Sequence, residues 1–214
     1  MTISFLSVLF LGLLMGIKHS LEPDHVIAVA TVAGKGKKLW ISTLTGVFWG
    51  IGHTLTLFIV GIAIILLKGG ISAEWAMSLE FLVGIMLVYF GVKSILTKKE
   101  QLQDTQLHQH SYVKSTFIGF IHGLAGSAAM VLLTISTVNS VWESIIYILV
   151  FGVGTILGMM FFTTIIGLPF VYSRKNIGVS RSLTMLTGAV SFGFGLYYMY
   201  NLGVNEGLFT IWLK

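Results

Sequence analysis

Gly16-Ile17-Lys18-His19-Ser20-Leu21-Glu22-Pro23-Asp24-His25 lies in the middle of an apolar run that extends from about Ser4 to Ala33. That run exceeds the roughly 20 apolar residues that carry an α-helix across a hydrocarbon core. It therefore reads as a membrane helix with charged residues near its centre. An ionisable side chain at such a depth costs about 2.5–3.5 kcal/mol on insertion scales and by default marks function. Two of the eight acids and two of the six histidines of the chain fall within the seven residues from His19 to His25. No structural role needs that density.

The rest of the chain agrees with a membrane reading. Of its 214 residues 55% are hydrophobic and only 10% charged, and its mean hydropathy is +0.91, whereas an ordinary soluble domain is about 25% charged. A soluble enzyme and a disordered or fibrous chain are both excluded. The absence of cysteine removes disulfide scaffolds, iron–sulfur sites and thiolate zinc sites. Five further apolar windows follow the first: Leu39 to Leu67, Trp75 to Leu96, Ser115 to Thr137, Val141 to Val171 and Ser182 to Gly203. The expectation is an all-α integral membrane protein of six transmembrane helices. Nine of the thirteen Lys and Arg residues fall in alternate connections, at Lys35, Lys37 and Lys38, at Lys98, Lys99 and Lys114, and at Arg174, Lys175 and Arg181. Cations collect on the cytoplasmic side, which places both termini outside. The start, Met1 to Phe10, has no basic leader and reads as a retained first helix. A net charge of +5 spread this way describes membrane topology and not a nucleic-acid patch, so no nucleic acid is expected as a partner.

The halves of the chain repeat. At a shift of 103, Gly16-Ile-Lys-His19-Ser-Leu21 falls on Gly119-Phe-Ile-His122-Gly-Leu124; at 102, Gly50-Ile-Gly52 falls on Gly152-Val-Gly154; at 104, Gly84 and Gly91 fall on Gly188 and Gly195. The expected organisation is a three-helix repeat over residues 1–97, a polar cytoplasmic linker over 98–114, and a second repeat over 115–214. Three is odd, so the second copy crosses in the opposite sense. An inverted 3+3 repeat is an architecture of secondary transporters that alternate access about a midplane site.

Two imidazoles with one or two carboxylates form a ligand set that suits nickel, cobalt or zinc, whereas calcium and magnesium prefer all-oxygen shells. At about 100° per residue, Asp24 and His25 would lie about 140° and 120° to opposite sides of His19, so a straight helix cannot gather the three. Pro23 removes a hydrogen bond and clashes with the carbonyl of His19, which predicts a break there with that carbonyl freed. The alternative is a regular helix in which Glu22, three residues from each histidine, supplies the carboxylate and Asp24 stands behind it. His53 in Gly52-His53-Thr54 is a further candidate ligand, with a buried histidine bonded between helices as the plainer reading. His122 occupies the repeat position of His19 and reads as a relay or supporting residue, or as a structural histidine. Ser127 and Thr54 are candidates for the same pathway, and Lys18 is expected to pair with Glu22 or Asp24. His108 and His110 in the linker could pass metal to a cytoplasmic metallochaperone or simply be solvated.

His19-x4-Asp24-His25 and Gly52-His53-Thr54 resemble the H-x4-D-H motif and the later glycine–histidine motif of the nickel/cobalt transporter family. The resemblance is closest to its small urease-accessory-type, UreH-like nickel permeases, with Gly119 to Leu133 similar to their fourth-helix glycine-rich segment. It implies that His19, Asp24, His25 and His53 bind metal. It also implies a secondary transporter in the cytoplasmic membrane carrying Ni2+, or next Co2+, inward as substrate, with no resident cofactor and no enzymatic activity. Three other readings compete: efflux by the same fold, a membrane subunit of a multicomponent importer, and a membrane-embedded metallohydrolase. The last lacks an HExxH motif, and no phosphate-binding loop for ATP is present.

Overall fold

The computed structural model describes residues 5–33, 38–67, 72–97, 111–137 and 140–213, with side chains except at 33, 67, 111 and 126–137. The described residues form helices and turns without a strand: α1 (Phe5–His19), α2 (Pro23–Ala33), α3 (Leu39–Leu67), α4 (Ala73–Ile95), α5 (Ser111–Thr137), α6 (Val141–Ser173) and α7 (Ile177–Tyr200). A π-helical turn, Asn201–Asn205, continues α7 before the short α8 (Leu208–Trp212). Gly207, at φ 82°, turns the chain between them. Three described helices, α3, α4 and α6, are long and apolar enough to cross a membrane, and the bent pair α1–α2 makes a fourth candidate if it is one span.

The surface composition is that of a protein that faces lipid. Leu55, Ile59, Leu66, Phe161 and Leu186 point outward, while Ser42, Thr45, Thr56, Thr155, Thr163 and Ser191 are fully buried. Lipid offers no hydrophobic drive for helices to associate, so their contacts rest on small residues and on hydroxyls that bond across the interface. Ser191 Oγ donates to the Leu87 carbonyl at 2.8 Å, and Thr56 Oγ1 to that of Phe120 at 2.7 Å.

Glycines set the closest approaches. A Cβ on Gly16 would fall on the Phe151 carbonyl oxygen of α6, and one on Gly154 of α6 on that of Leu13 in α1. Likewise a Cβ on Gly52 of α3 would fall on the Thr116 carbonyl oxygen of α5, and one on Gly119 of α5 on that of Trp49 in α3. Between α4 and α7 a Cβ on Gly91 would stand 2.7 Å from the Gly188 carbonyl oxygen, and one on Gly188 2.9 Å from that of Gly91. Thus α1 meets α6 as α5 meets α3, with the glycines that do so related by the sequence shifts of 102 to 104. α2 lies among the others, touching α3, α4, α6 and α7, and its Ala28 and Val29 are buried with Trp49, Val83, Leu87, Ile118 and Met159.

The first window is two helices bent by 56°, the break expected at Pro23. The structure differs from expectation in two places. Residues 111–114, assigned to the linker, are the first turn of α5, and the remainder of the linker, with His108 and His110, lies outside the described residues. The His19 carbonyl is not freed: the Glu22 N–H takes it at 3.0 Å and the Leu21 N–H takes that of Lys18 at 2.9 Å, so the chain tightens into 3₁₀-type bonding where α1 ends. Pro23 then stands at the first position of α2, where a missing N–H costs nothing and its fixed φ suits the helix.

Candidate metal centre

The break gathers side chains that a continuous helix would scatter. His19 ends α1, Glu22 lies in the turn, Asp24 and His25 open α2, and His53 of α3 and His122 of α5 close the cluster from the other side. His19 Nδ1 lies 3.0 Å from Glu22 Oε2, and its Nε2 lies 3.1 Å from His53 Nε2. Asp24 divides its two oxygens: His25 Nδ1 is 3.2 Å from Oδ1 and His122 Nε2 is 2.9 Å from Oδ2. The His25 ring is central, with centroids 4.6 Å from His19, 5.0 Å from His53 and 4.2 Å from His122.

Metal-ligating histidines usually hold their second ring nitrogen against a carboxylate, which fixes tautomer and orientation. His19 on Glu22 and His25 on Asp24 have that arrangement. The opposite nitrogen of His25, Nε2, is buried and makes no hydrogen bond among the described residues, as are His53 Nδ1 and His122 Nδ1. His19, His25 and His53 can each offer one ligand atom, all within 4.8 Å of one another, and so can Asp24, His25 and His122. Two nitrogens bound at about 2.0–2.1 Å at right angles around one ion stand about 3 Å apart, and the 3.1 Å between His19 and His53 matches this. With neutral imidazoles the two carboxylates carry two negative charges, which a divalent cation would cancel in a medium where uncompensated charge is expensive.

Of the residues singled out in the sequence, His19, Glu22, Asp24, His25, His53 and His122 come together. Thr54 turns to α6, donating to the Gly152 carbonyl at 3.2 Å. Lys18 is exposed, and its expected partners Glu22 and Asp24 are engaged by histidines. The side chain of Ser127 lies outside the described residues. Glu22 lies against His19 and Asp24 against His25 and His122, so each histidine of the motif has a carboxylate beside it. His122 is the residue that the spacing of the motif alone misses; its repeat relation to His19 is the signal that points to it.

A helical membrane protein that gathers four imidazoles and two carboxylates at a helix break falls in the class of membrane proteins with a cluster of metal-ligating residue types. Urease accessory protein UreH of Bacillus sp. (strain TB-90) is 56% identical to this chain over 225 residues, covering 99% of each. The chain belongs to the UreH-like family of nickel/cobalt permeases. A protein of Methanocaldococcus jannaschii whose name proposes nickel/cobalt efflux is 27% identical over 202 residues, 86% of this chain and 88% of that one. The Arabidopsis thaliana chloroplast protein FOR GROWTH AND FERTILITY 1 is 27% identical over 210 residues, and the chain spans 56% of its length. No family model and no solved structure matches the chain. The Bacillus and Methanocaldococcus relatives bear the names of accessory and transport proteins and not of enzymes.

Proposed function

We infer that the chain is a secondary transporter that moves a divalent transition metal ion, Ni2+ ahead of Co2+, inward across the cytoplasmic membrane. The observation that carries this reading is the convergence of His19, His25 and His53 at a break in the first apolar run, with Glu22 and Asp24 holding two of the rings. In this reading the three histidines capture a dehydrated ion, which is cargo and not a resident cofactor. Glu22 and Asp24 orient the rings and supply the compensating charge.

Six spans in an inverted 3+3 repeat, with residues 1–97 and 115–214 as its halves and both termini outside, are part of the proposal. The matched glycine contacts of α1 with α6 and of α5 with α3 support it, since a two-fold relation between the halves exchanges those pairs. The halves would rock against each other around the cluster. An ion of charge two gains about 4.6 kcal/mol per 100 mV on entering a negative interior, enough to concentrate it on the order of a thousandfold without ATP. Efflux is the second reading, favoured by the name of the Methanocaldococcus relative. Deletion in the host separates the two: import predicts nickel deficiency, efflux predicts nickel sensitivity.

Uptake of 63Ni2+ into proteoliposomes that contain only this chain, with an imposed inside-negative potential and a His19→Ala control, tests the reading. Voltage-driven uptake that the substitution abolishes is the expected result. No uptake by the wild-type chain, or uptake that His19→Ala leaves intact, would overturn it. The same assay carries a pH prediction. An imidazole must be neutral to bind metal, and its ordinary pKa is about 6.5. Protons therefore win as pH falls, and uptake is expected to weaken as the external pH is lowered. A rate that climbs steadily towards pH 5 contradicts ligation by histidine.

A further inference from the structure

The capture group accounts for His19, His25 and His53, yet a second group of ligand atoms is assembled beside it and shares one member. Asp24, His25 and His122 each offer an atom within 4.8 Å of the others, as the capture triad does. His122 is 1% exposed, its Nε2 is held 2.9 Å from Asp24 Oδ2, and its Nδ1 makes no hydrogen bond among the described residues. The 2.9 Å between His122 Nε2 and Asp24 Oδ2 is also the separation of two ligand atoms at right angles around one ion.

The two groups match in burial: each has one partly exposed member, His19 at 14% and Asp24 at 19%, and two buried ones, His25 with His53 and His25 with His122. His25 stands between the two outer histidines, its ring centroid 4.6 Å from that of His19 and 4.2 Å from that of His122. His19 and His122 also occupy equivalent positions in the two halves, at a shift of 103.

We propose that Asp24, His25 and His122 form a second, successive binding position for the transported ion. The ion crosses by exchanging His19 and His53 for Asp24 and His122 without leaving His25. The proposal rests on the transporter reading above and adds a second position to it. In the first position Asp24 orients His25. In the second its Oδ2 gives up the hydrogen bond to His122 and faces the ion. No covalent step is involved, and the coordination number is kept while one pair of ligands replaces another. Because His25 belongs to both groups, the two positions cannot be filled together.

The test uses the full chain in two assays, equilibrium 63Ni2+ binding in detergent and voltage-driven 63Ni2+ uptake in proteoliposomes. His122→Ala and His122→Gln are measured beside the wild type and His19→Ala. The wild-type chain is expected to bind one Ni2+. Both His122 variants are expected to keep binding within about threefold of wild type while the maximal uptake rate falls about tenfold or more. His122→Gln retains an amide donor for Asp24 Oδ2 and keeps the test available should the alanine variant fail to fold. Two ions per wild-type chain would overturn the shared position whatever the variants do. Uptake by a folded His122 variant within about twofold of wild type would make His122 structural. Loss of binding as complete as in His19→Ala would place His122 in the capture group, which also overturns the proposal. No uptake by the wild-type chain would overturn both readings, an outcome distinct from a wild type that transports and a His122 variant that transports equally.

Discussion

His25→Ala is expected to lower nickel affinity by about 100-fold or more and to reduce voltage-driven uptake to background. A supporting residue of a metal ligand is worth 10- to 100-fold in affinity or activity, and in the proposed reading His25 is itself a ligand. It is the one residue common to both ligand groups, and its ring lies within 5.0 Å of three other imidazoles. Alanine removes the buried Nε2 and also leaves Asp24 Oδ1 without its 3.2 Å partner, so the site loses a ligand while its negative charge is less well engaged. Equilibrium 63Ni2+ binding to the purified variant, with gel filtration to show that it is folded, checks this. A folded variant that binds within about threefold of wild type would remove His25 from the site, because no first ligand is worth so little.

Gly52→Ala is expected to destabilise the protein by about 2–3 kcal/mol, the upper part of the range for overpacking a well-packed interior. The added Cβ would fall on the Thr116 carbonyl oxygen and within 3.0 Å of the Phe120 nitrogen, both of them backbone atoms of α5 that cannot rotate aside. Helices α3 and α5 must then separate. Gly52 precedes His53, and Gly123 lies against the His53 backbone, where a Cβ would meet the carbonyl oxygen at 2.7 Å. Separation therefore also moves a ligand, and nickel affinity is expected to fall together with stability. Gly193→Ala is the matched control: a Cβ there meets nothing within 4 Å. It is expected to be neutral or to stabilise by up to about 1 kcal/mol, the helix-propensity difference between the two residues. Thermal unfolding in detergent compares the pair. Equal midpoints for the two variants would show that the α3–α5 contact yields without cost.

The two substitutions probe features that differ in how openly the sequence displays them. The ligand types were legible because a His19-x4-Asp24-His25 motif inside an apolar run is costly enough to need a reason. The break was legible because the effect of Pro23 on the preceding turn is covalent and local. The glycines of the helix contacts were visible as a repeat. The fate of the His19 carbonyl was not, because a chain leaving a helix can either expose its last carbonyls or tighten to cover them, and only the path of the next helix decides. The same is true of Lys18 and Thr54. Their neighbours in sequence offered partners, but the rotation of α1 and α3 turned the first outward and the second towards Gly152 of α6.

By itself the sequence determined that this is a helical membrane protein, that its first apolar run breaks at Pro23, and that the residues around the break are of metal-ligating type. Those conclusions rest on transfer energies and on local backbone chemistry, which act over a few residues. Only the tertiary structure decided that Asp24 divides its oxygens between His25 and His122, a residue 98 positions away, and that His53 lies against His19. Contacts across such separations depend on the rotation and approach of whole helices. In this protein they follow from carbonyls seated on Gly16, Gly52, Gly119 and Gly154, to a closeness that any side chain there would prevent.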